Sequence, residues 1–383
     1  MIGHASRKHA LLSASGAARW MNCTPSARLE EHVEERGSSD FAAEGTLAHE
    51  FGDWLLKHFN GEVTKRKLNA ELKKLRKHRL YTDEMEGEVD KYVTYVIESF
   101  KSAKKGAELM VERKLDFSHI VPEGFGTGDA TIAADDTLEV IDLKYGKGIK
   151  VDAPENPQLM LYGLGALRMV DLMYDIETVR LTIVQPRLNH ISTWEISAAD
   201  LIAWGEEEAK PKATAAFQGL GTQKVGSWCK WCKVKATCTA IAKQNLALAR
   251  FEFKEPALLT EDEVLEVYEQ QEQLVDWAKA VSEYVLDEAL KGKKWPGYKL
   301  VEGRSNRKWR DEDAAIKVLA EKYKREDFMQ EKLKGIVAVS KLVGDDIDLY
   351  PLMIKPPGKP TLAPDTDERP PINSAESAKE DFS

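Results

Sequence analysis

Between residues 89 and 196 the apolar residues change from helical spacing to strand alternation and back, and this order of periods constrains the fold more tightly than any other feature. Val89, Tyr92, Val93, Val96 and Phe100 recur at three- and four-residue intervals, which predicts an amphipathic helix whose stripe must pack on something. Residues 108–115, 129–134 and 138–144 are short apolar-rich runs broken by Gly, Pro and Asp-Asp signals. They predict three consecutive strands, the last two a hairpin turning at Asp135 and Asp136. A helix follows over 157–170, then strands at 179–185 and 191–196. The order is helix, three strands, helix, strand.

Outside this stretch, Ser13 and Ser15 are placed to cap a short helix over 17–23, and a longer helix is expected over 41–59. Thr260 with Glu263 forms a capping box that opens a long acidic helix to residue 290, with Val264, Tyr268, Val275, Tyr284 and Val285 among its apolar positions. Gly292 stops it. A strand-like piece over 298–302 precedes Trp309, and a helix over 312–324 begins a small C-terminal module. From Lys355 the chain is rich in Pro, Asp, Glu and Ser, which predicts an extended or disordered tail. The expected division is therefore 1–245, a mainly helical 255–350, and a tail over 355–383.

The 383 residues are 43% apolar, enough to bury a real core, and no apolar run approaches the roughly 18 residues of a membrane span. With no signal-peptide pattern at the N-terminus, a soluble cytoplasmic protein is expected. A net charge of −9 argues against a protein that coats nucleic acid non-specifically, though not against an enzyme that meets DNA in one cleft. Lys65 to Arg79 is locally basic; a solvated helix face and a DNA-backbone contact both fit it.

The chemistry concentrates in Gly126-Thr-Gly-Asp129 and Glu139-Val-Ile-Asp142-Leu-Lys144. In a hairpin, Asp129 near the start of one strand lies beside Asp142 near the end of its neighbour, and alternation puts Lys144 on the same face as Asp142. Phosphodiester hydrolysis needs a hard cation to neutralise developing charge and to acidify water, and carboxylates are the ligands Mg²⁺ prefers. A lysine beside them can orient or deprotonate that water and balance the transition state. An Asp and a Lys two apart on a strand are commonplace, so the triplet alone carries little.

The surrounding motifs make it specific. Gly45-Thr46-Leu47-Ala48-His49 lies upstream, Gln158-Leu-Met-Leu-Tyr162 downstream, and together with Asp129, Asp142 and Lys144 they resemble the RecB-like branch of the PD-(D/E)XK nucleases. The resemblance covers residues 10–240 and implies an α/β fold with a mixed central sheet flanked by helices. It implies that His49, Asp129, Asp142 and the Leu143 carbonyl hold Mg²⁺ or Mn²⁺, that Lys144 serves the water, and that Gln158 and Tyr162, one helical turn apart, contact DNA or hold the lysine. Glu112 is a looser candidate on the first strand, where several relatives place an acid and where a solvent-facing Glu is equally ordinary. The family's most usual third motif has Glu where this chain has Asp142, which bears on the metal geometry.

Four cysteines stand at Cys23, Cys229, Cys232 and Cys238. In a cytosolic protein such a set points to a metal site rather than disulfides, and thiolates suit zinc or an iron–sulfur cluster alike. One N-terminal cysteine plus C-x₂-C-x₅-C resembles the clasp of the AddB-like and CRISPR-adaptation nucleases, which implies a [4Fe–4S] cluster over zinc. Trp228 and Trp231 are expected either to shield it or to be ordinary core residues, and Lys230, Lys233 and Lys235 make the knuckle basic.

Beyond residue 250 the segment Gly303-Arg-Ser-Asn-Arg-Lys-Trp309 and the run Lys355-Pro-Pro-Gly-Lys-Pro resemble an uncharacterised phage and prophage family. The combined expectation is a DNA exonuclease resecting linear ends in phage recombination or replication inside a bacterial host. DNA is its substrate and a single-strand annealing protein an expected partner, with a homo-oligomer left open. A non-catalytic DNA-binding scaffold is the alternative. No phosphate-binding P-loop is present, which argues against a helicase activity in this chain.

Overall fold

The computed structural model describes residues 10–33, 40–247, 259–303, 305–329, 332–344, 346–369 and 371–372. Among them the chain forms a mixed α/β protein that divides into two compact units between Gln273 and Leu274.

The first unit is built on five strands: β1 (Glu108–Asp116), β2 (Phe125–Ala134), β3 (Thr137–Leu143), β4 (Thr178–Gln185) and β5 (His190–Ser197). They lie in sequence order, with β3 and β4 parallel and the other neighbours antiparallel. The hairpin between β2 and β3 turns at Asp135, whose φ of 51° is tolerated by a short polar side chain. Both faces of the sheet are covered. Helices α3 (Asp40–Phe59), α4 (Lys65–Leu75) and α5 (Asp83–Ser102) bury Phe51, Leu72, Val89 and Val96 with Leu109, Ile132 and Ile141 of the sheet. On the other face α6 (Pro157–Val170), the short α1 (Ala17–Asn22) and α2 (Ser26–Glu30), and α7 (Ala198–Trp204) running on through a π-turn into α8 (Lys210–Gln218), pack with Met110, Val140 and Leu181. The apolar stripe of the sequence thus finds its partner in the sheet, and α5 begins earlier than that stripe because Thr82 caps it by accepting from Met85 N.

Two features break simple alternation. Leu109 and Val111 of β1 join the α3–α5 cluster, yet Leu115, which alternation would put with them, packs with α6. The switch falls at Glu112, whose φ of 51° interrupts the β1–β2 ladder opposite Asp129. One left-handed residue reverses the side on which every later side chain projects. Second, β3 carries a buried acid, Glu139, on the α5 face, where Ser99, Tyr95 and Thr182 donate to it.

The basic stretch over Lys65 to Arg79 forms α4 and its exit turn. Glu71 pairs with Lys67 and Lys74, Glu86 with Arg76, and Asp40 with Arg79, so much of its charge is answered within the fold. Helix α9 (Thr239–Ala247) closes the cysteine segment.

Helix α10 (Glu261–Leu290) opens on the expected capping box, Thr260 and Glu263 exchanging backbone-to-side-chain bonds of 3.0 and 3.3 Å, and ends before Gly292 at φ 97°. The second unit holds two small sheets, β6 (Tyr298–Glu302) with β9 (Pro360–Pro364) and β7 (Lys308–Trp309) with β8 (Met353–Ile354), and helices α11 (Glu312–Ala320), α12 (Arg325–Phe328) and α13 (Ile336–Val343) around Leu319, Phe328 and Val339. The helix expected over 312–324 stops at Ala320, because Asp327 caps a new turn at Lys324 and Tyr323 turns to bond Asp346. Part of the segment expected as a tail is strand β9; residues 373–383 lie outside the described residues. No helix among the described residues is long and apolar enough to cross a membrane.

Candidate active site

The β2–β3 ladder ends at Ala130↔Ile141, which brings Asp129 and Asp142 to the next, unpaired step, and the Leu143 amide donates to Asp129 Oδ2 at 2.7 Å. This is the carboxyl end of the parallel strand β3, where open α/β sheets place ligands. Helix α6 begins beside it. Asn156 caps α6 by accepting from Gln158 N and Leu159 N, and Pro157 fits the first turn, which fixes Gln158 at the mouth and Tyr162 one turn on.

From there Gln158 donates to Asp142 Oδ1 at 3.2 Å and accepts from Lys144 Nζ at 3.0 Å. Lys144 Nζ also lies 2.8 Å from Asp142 Oδ2, and Tyr162 Oη is 3.4 Å from Gln158 Nε2. On the opposite side α3 delivers His49, whose Nδ1 is 3.0 Å from Asp129 Oδ1. Glu112 completes the group: ligand atoms of His49, Glu112 and Asp129 all lie within 4.8 Å of one another. The structure therefore gathers His49, Asp129, Asp142, Leu143, Lys144, Gln158 and Tyr162 in one bonded cluster, and adds Glu112.

Its electrostatics follow from two acids held in a dry place. Burial and the neighbouring Asp129 charge push the Asp142 carboxyl up, against the pull of Lys144. Asp129 is held below the usual range in spite of burial, by His49 and the Leu143 amide. Burial opposes a charge on His49, but Asp129 prevails and raises it to about 9. Lys144 is likewise raised despite burial, by Asp142. Glu112 is pushed up to about 7, by burial first and then by Asp129 and Asp53. A left-handed non-glycine residue costs about 1–3 kcal/mol and tends to mark function. That Glu112 is both strained and raised marks it as part of the site.

The donor set fits a hard divalent cation: one imidazole, two carboxylates within reach, and a third, Asp142, whose buried Oδ2 touches Lys144 but accepts no hydrogen bond of good geometry. The helical stripe concealed one further group. Tyr92, which its spacing gives as a core residue, is buried with its hydroxyl unpartnered among the described residues, and its pKa lies far above the usual value, from burial and then from Asp129, Asp142 and Glu112. The only signal in the sequence is a hydroxyl in an otherwise apolar stripe.

Gly126 shows how tightly the α6 side is built. A Cβ there would meet Tyr162 Cε1 at 2.6 Å. Gly45, by contrast, has open space above it.

The four cysteines line one small cavity, with Arg19, Trp228 and Ile241. Cys23 follows α1, and the other three come from short turns after α8. Glu30 ties the two segments together, bonded to Arg19 at 2.8 Å and accepting from Lys233 N at 2.6 Å. Burial, then the Glu30 charge, pushes the Cys232 thiol up to about 12. Among the described residues no three of the sulfurs come within 4.8 Å of one another, whereas a tetrahedral zinc site holds them about 3.8 Å apart. Trp228 lines this cavity; Trp231 is 69% exposed and is neither core nor shield.

Fold and pocket together define an α/β protein with an acid–histidine–lysine site at the carboxyl end of its central sheet. The chain belongs to the family described as "Protein of unknown function (DUF2800)", which it matches over residues 9–370. It is also similar to a solved protein described as "Crystal structure of SSO0001", at 15% identity and a TM-score of 0.22, over 58% of this chain and 96% of that one.

Proposed function

We propose that this protein is a metal-dependent DNA nuclease of the PD-(D/E)XK type, acting from the ends of linear DNA, with its four cysteines holding a [4Fe–4S] cluster. The observation that carries the reading is the constellation around the hairpin: Asp129 near Asp142, His49 on one acid, Lys144 on the other, and Gln158 bonded to both Asp142 and Lys144. A scaffold that only binds DNA has no need to gather three acids, one of them strained, between a histidine and a lysine.

In this reading His49, Glu112, Asp129 and Asp142, with the Leu143 carbonyl, hold Mg²⁺ or Mn²⁺. A bound divalent ion supplies Lewis acidity toward the phosphate and acidifies a water. Lys144 keeps its proton, since Asp142 raises its pKa, and so acts as a charged donor that orients water and balances the pentavalent phosphorus. Gln158 fixes the rotamers of Asp142 and Lys144 at once. Tyr162, too weak an acid to ionise at working pH, braces Gln158.

For the cysteines, the lining of one small cavity by all four supports a shared metal site, and the preference for the larger cluster over zinc rests on the resemblance of their spacing. The four residues would clasp the two ends of the first unit. A phage recombination setting, with a single-strand annealing protein as partner in a bacterial cytoplasm, follows from the same reading.

The test is digestion of end-labelled linear duplex, linear single-stranded and closed circular DNA by anaerobically purified protein and its Asp142→Ala and Lys144→Ala variants. Degradation of linear DNA alone, lost in both variants, is expected. No cleavage by cluster-loaded protein in Mg²⁺ or Mn²⁺ would reject the nuclease and leave the scaffold.

A further inference from the structure

Two motifs lie outside the pocket and take no part in the proposed chemistry: the segment from Gly303 to Trp309 and the run from Lys355 to Pro360. The structure of the second unit brings them together. Gly303 N donates to Lys359 O at 2.9 Å, and Lys308 pairs with Ile354 across the β7–β8 ladder. Trp309 and Met353, the other pair of that ladder, turn toward the small core, which leaves Lys308 and Ile354 facing outward. Lys355 follows at once. Beside them Tyr350 is 71% exposed, and the Arg307 guanidinium lies 5.5 Å from its ring centroid.

The run over 291–310 is opposite in charge to the chain, although Asp348 and Asp365 stand near it. Between Lys291 and Arg310 stand eight Lys or Arg and one acid, Glu302, in a protein of net charge −9. Arg307, Lys308 and Lys355 form no ion pair among the described residues, unlike Lys67, Lys74 and Arg76 in and after α4. The earlier half of the same run lines a cleft of about 470 Å³ with Lys293, Lys294, Trp295 and Tyr298, Tyr298 being 54% exposed. Exposed aromatics interleaved with cations suit a strand that offers both phosphates and unpaired base faces. A duplex hides its base faces, and an acidic peptide has none.

We propose that the C-terminal module binds single-stranded nucleic acid, with a base stacked on Tyr350 beside Arg307 and backbone phosphates on Lys308 and Lys355. The proposal rests on the nuclease reading only in that DNA would be the strand supplied; the surface itself needs no catalysis. It gives the module a task that fits a resecting enzyme, retaining the strand that resection exposes.

The experiment uses the full chain in EDTA, which prevents cleavage, and fluorescence anisotropy of labelled oligothymidine across a salt series. Arg307→Ala/Lys308→Ala/Lys355→Ala is expected to bind roughly tenfold more weakly and to lower the slope of log affinity against log salt by about 1.4, at about 0.7 for each of the two phosphates no longer neutralised. Tyr350→Ala, which leaves the charges in place, is expected to weaken single-strand binding roughly five- to tenfold with the slope unchanged and duplex binding unaffected. Thermal melts of each variant confirm that the module is folded. Wild-type affinity and slope in both folded variants would overturn the proposal, and so would wild-type protein that prefers polyglutamate over oligothymidine. If the strip binds as described while wild type cleaves nothing, the nuclease reading fails and this one stands; cleavage with an inert strip gives the reverse.

Discussion

Gly126→Ala tests how the pocket is held without touching any group that would ligate metal or handle a proton. The added Cβ would sit 2.6 Å from Tyr162 Cε1, where ordinary contact is 3.4 Å or more, so the ring must withdraw by about 1 Å. Tyr162 is buried among core residues of α6 and the sheet and has no room to swing. Overpacking of this kind costs about 1–3 kcal/mol, which in a unit of this size lowers Tm by roughly 2–10 °C. Moving Tyr162 also moves the Gln158 amide that it touches at 3.4 Å, and with it the bond to Asp142. A misplacement near 1 Å in a catalytic constellation costs on the order of 10²-fold in kcat. Tyr162→Phe in the Gly126→Ala background should restore little, since the clash is with a ring carbon. Urea and thermal melts report the first effect, single-turnover cleavage the second. A folded variant with an unchanged Tm and full cleavage would refute the argument that α6 is seated by close approach to β2.

Four further outcomes follow, two from the same site and two from elsewhere in the first unit. A cation can occupy the His49, Glu112 and Asp129 group only after His49, raised to about 9, and Glu112, raised to about 7, give up protons. Calorimetric titration of Mn²⁺ in buffers of different ionisation enthalpy should therefore show about two protons released at pH 6 and about one at pH 8. For the metal-free protein both shifts have the same sign: the folded state binds more protons, so stability falls as pH rises from about 4.5 through 7 for Glu112 and from about 6.5 through 9 for His49. Urea melts in EDTA check this, and a stability that rises over that range would contradict it. Gln185, 1% exposed, holds the loop after Lys144 by accepting from Val151 N at 2.7 Å and donating to Ile149 O at 3.0 Å. Gln185→Leu should cost about 2 kcal/mol and speed proteolysis between Tyr145 and Val151. Glu30→Ala should cost about 2–3 kcal/mol by freeing Arg19 and the Lys233 amide, and should lower iron bound per chain in anaerobic protein; unchanged iron content would separate Glu30 from the cysteine site.

Much of the sheet is readable from the sequence because each strand of β2 to β4 is buried on both faces and bounded by turn residues of plain chemistry. The hairpin turn at Asp135 sets the register, which brings Asp129 and Asp142 to the step just past the last paired residues. Gln158 is readable for a similar reason: Asn156 and Pro157 announce the start of α6. Glu112 is different. Nothing in the order Leu-Met-Val-Glu-Arg-Lys-Leu shows that one residue turns left-handed, because that conformation is unfavourable locally and persists only through packing on both sides. The same holds for Pro360–Pro364, whose composition reads as tail and whose strand exists because β6 offers an edge. Trp231 misleads in the other direction, since apolar bulk predicts burial only when a core is within reach.

The strain at Glu112 has a structural reason beyond its own carboxylate. His49 comes from α3 on one face of the sheet, Gln158 and Tyr162 from α6 on the other. Side chains from opposite faces cannot ordinarily meet at one strand residue, because a flat ladder separates them. At the Glu112–Asp129 step both neighbouring strands change sides: Leu115 joins the α6 cluster, and Gly126 lies against Tyr162 although Ala130 and Ile132 face α3 and α5. The ladder opens there, Asp129 reaches His49 with one oxygen, and its other oxygen takes the Leu143 amide that the missing pair leaves available. A regular strand would bury the same residues more cheaply but would leave His49 and Lys144 in separate compartments. The site exists because β1 and β2 are irregular at one position, and a cost of about 1–3 kcal/mol there is small beside a core that covers both faces of five strands.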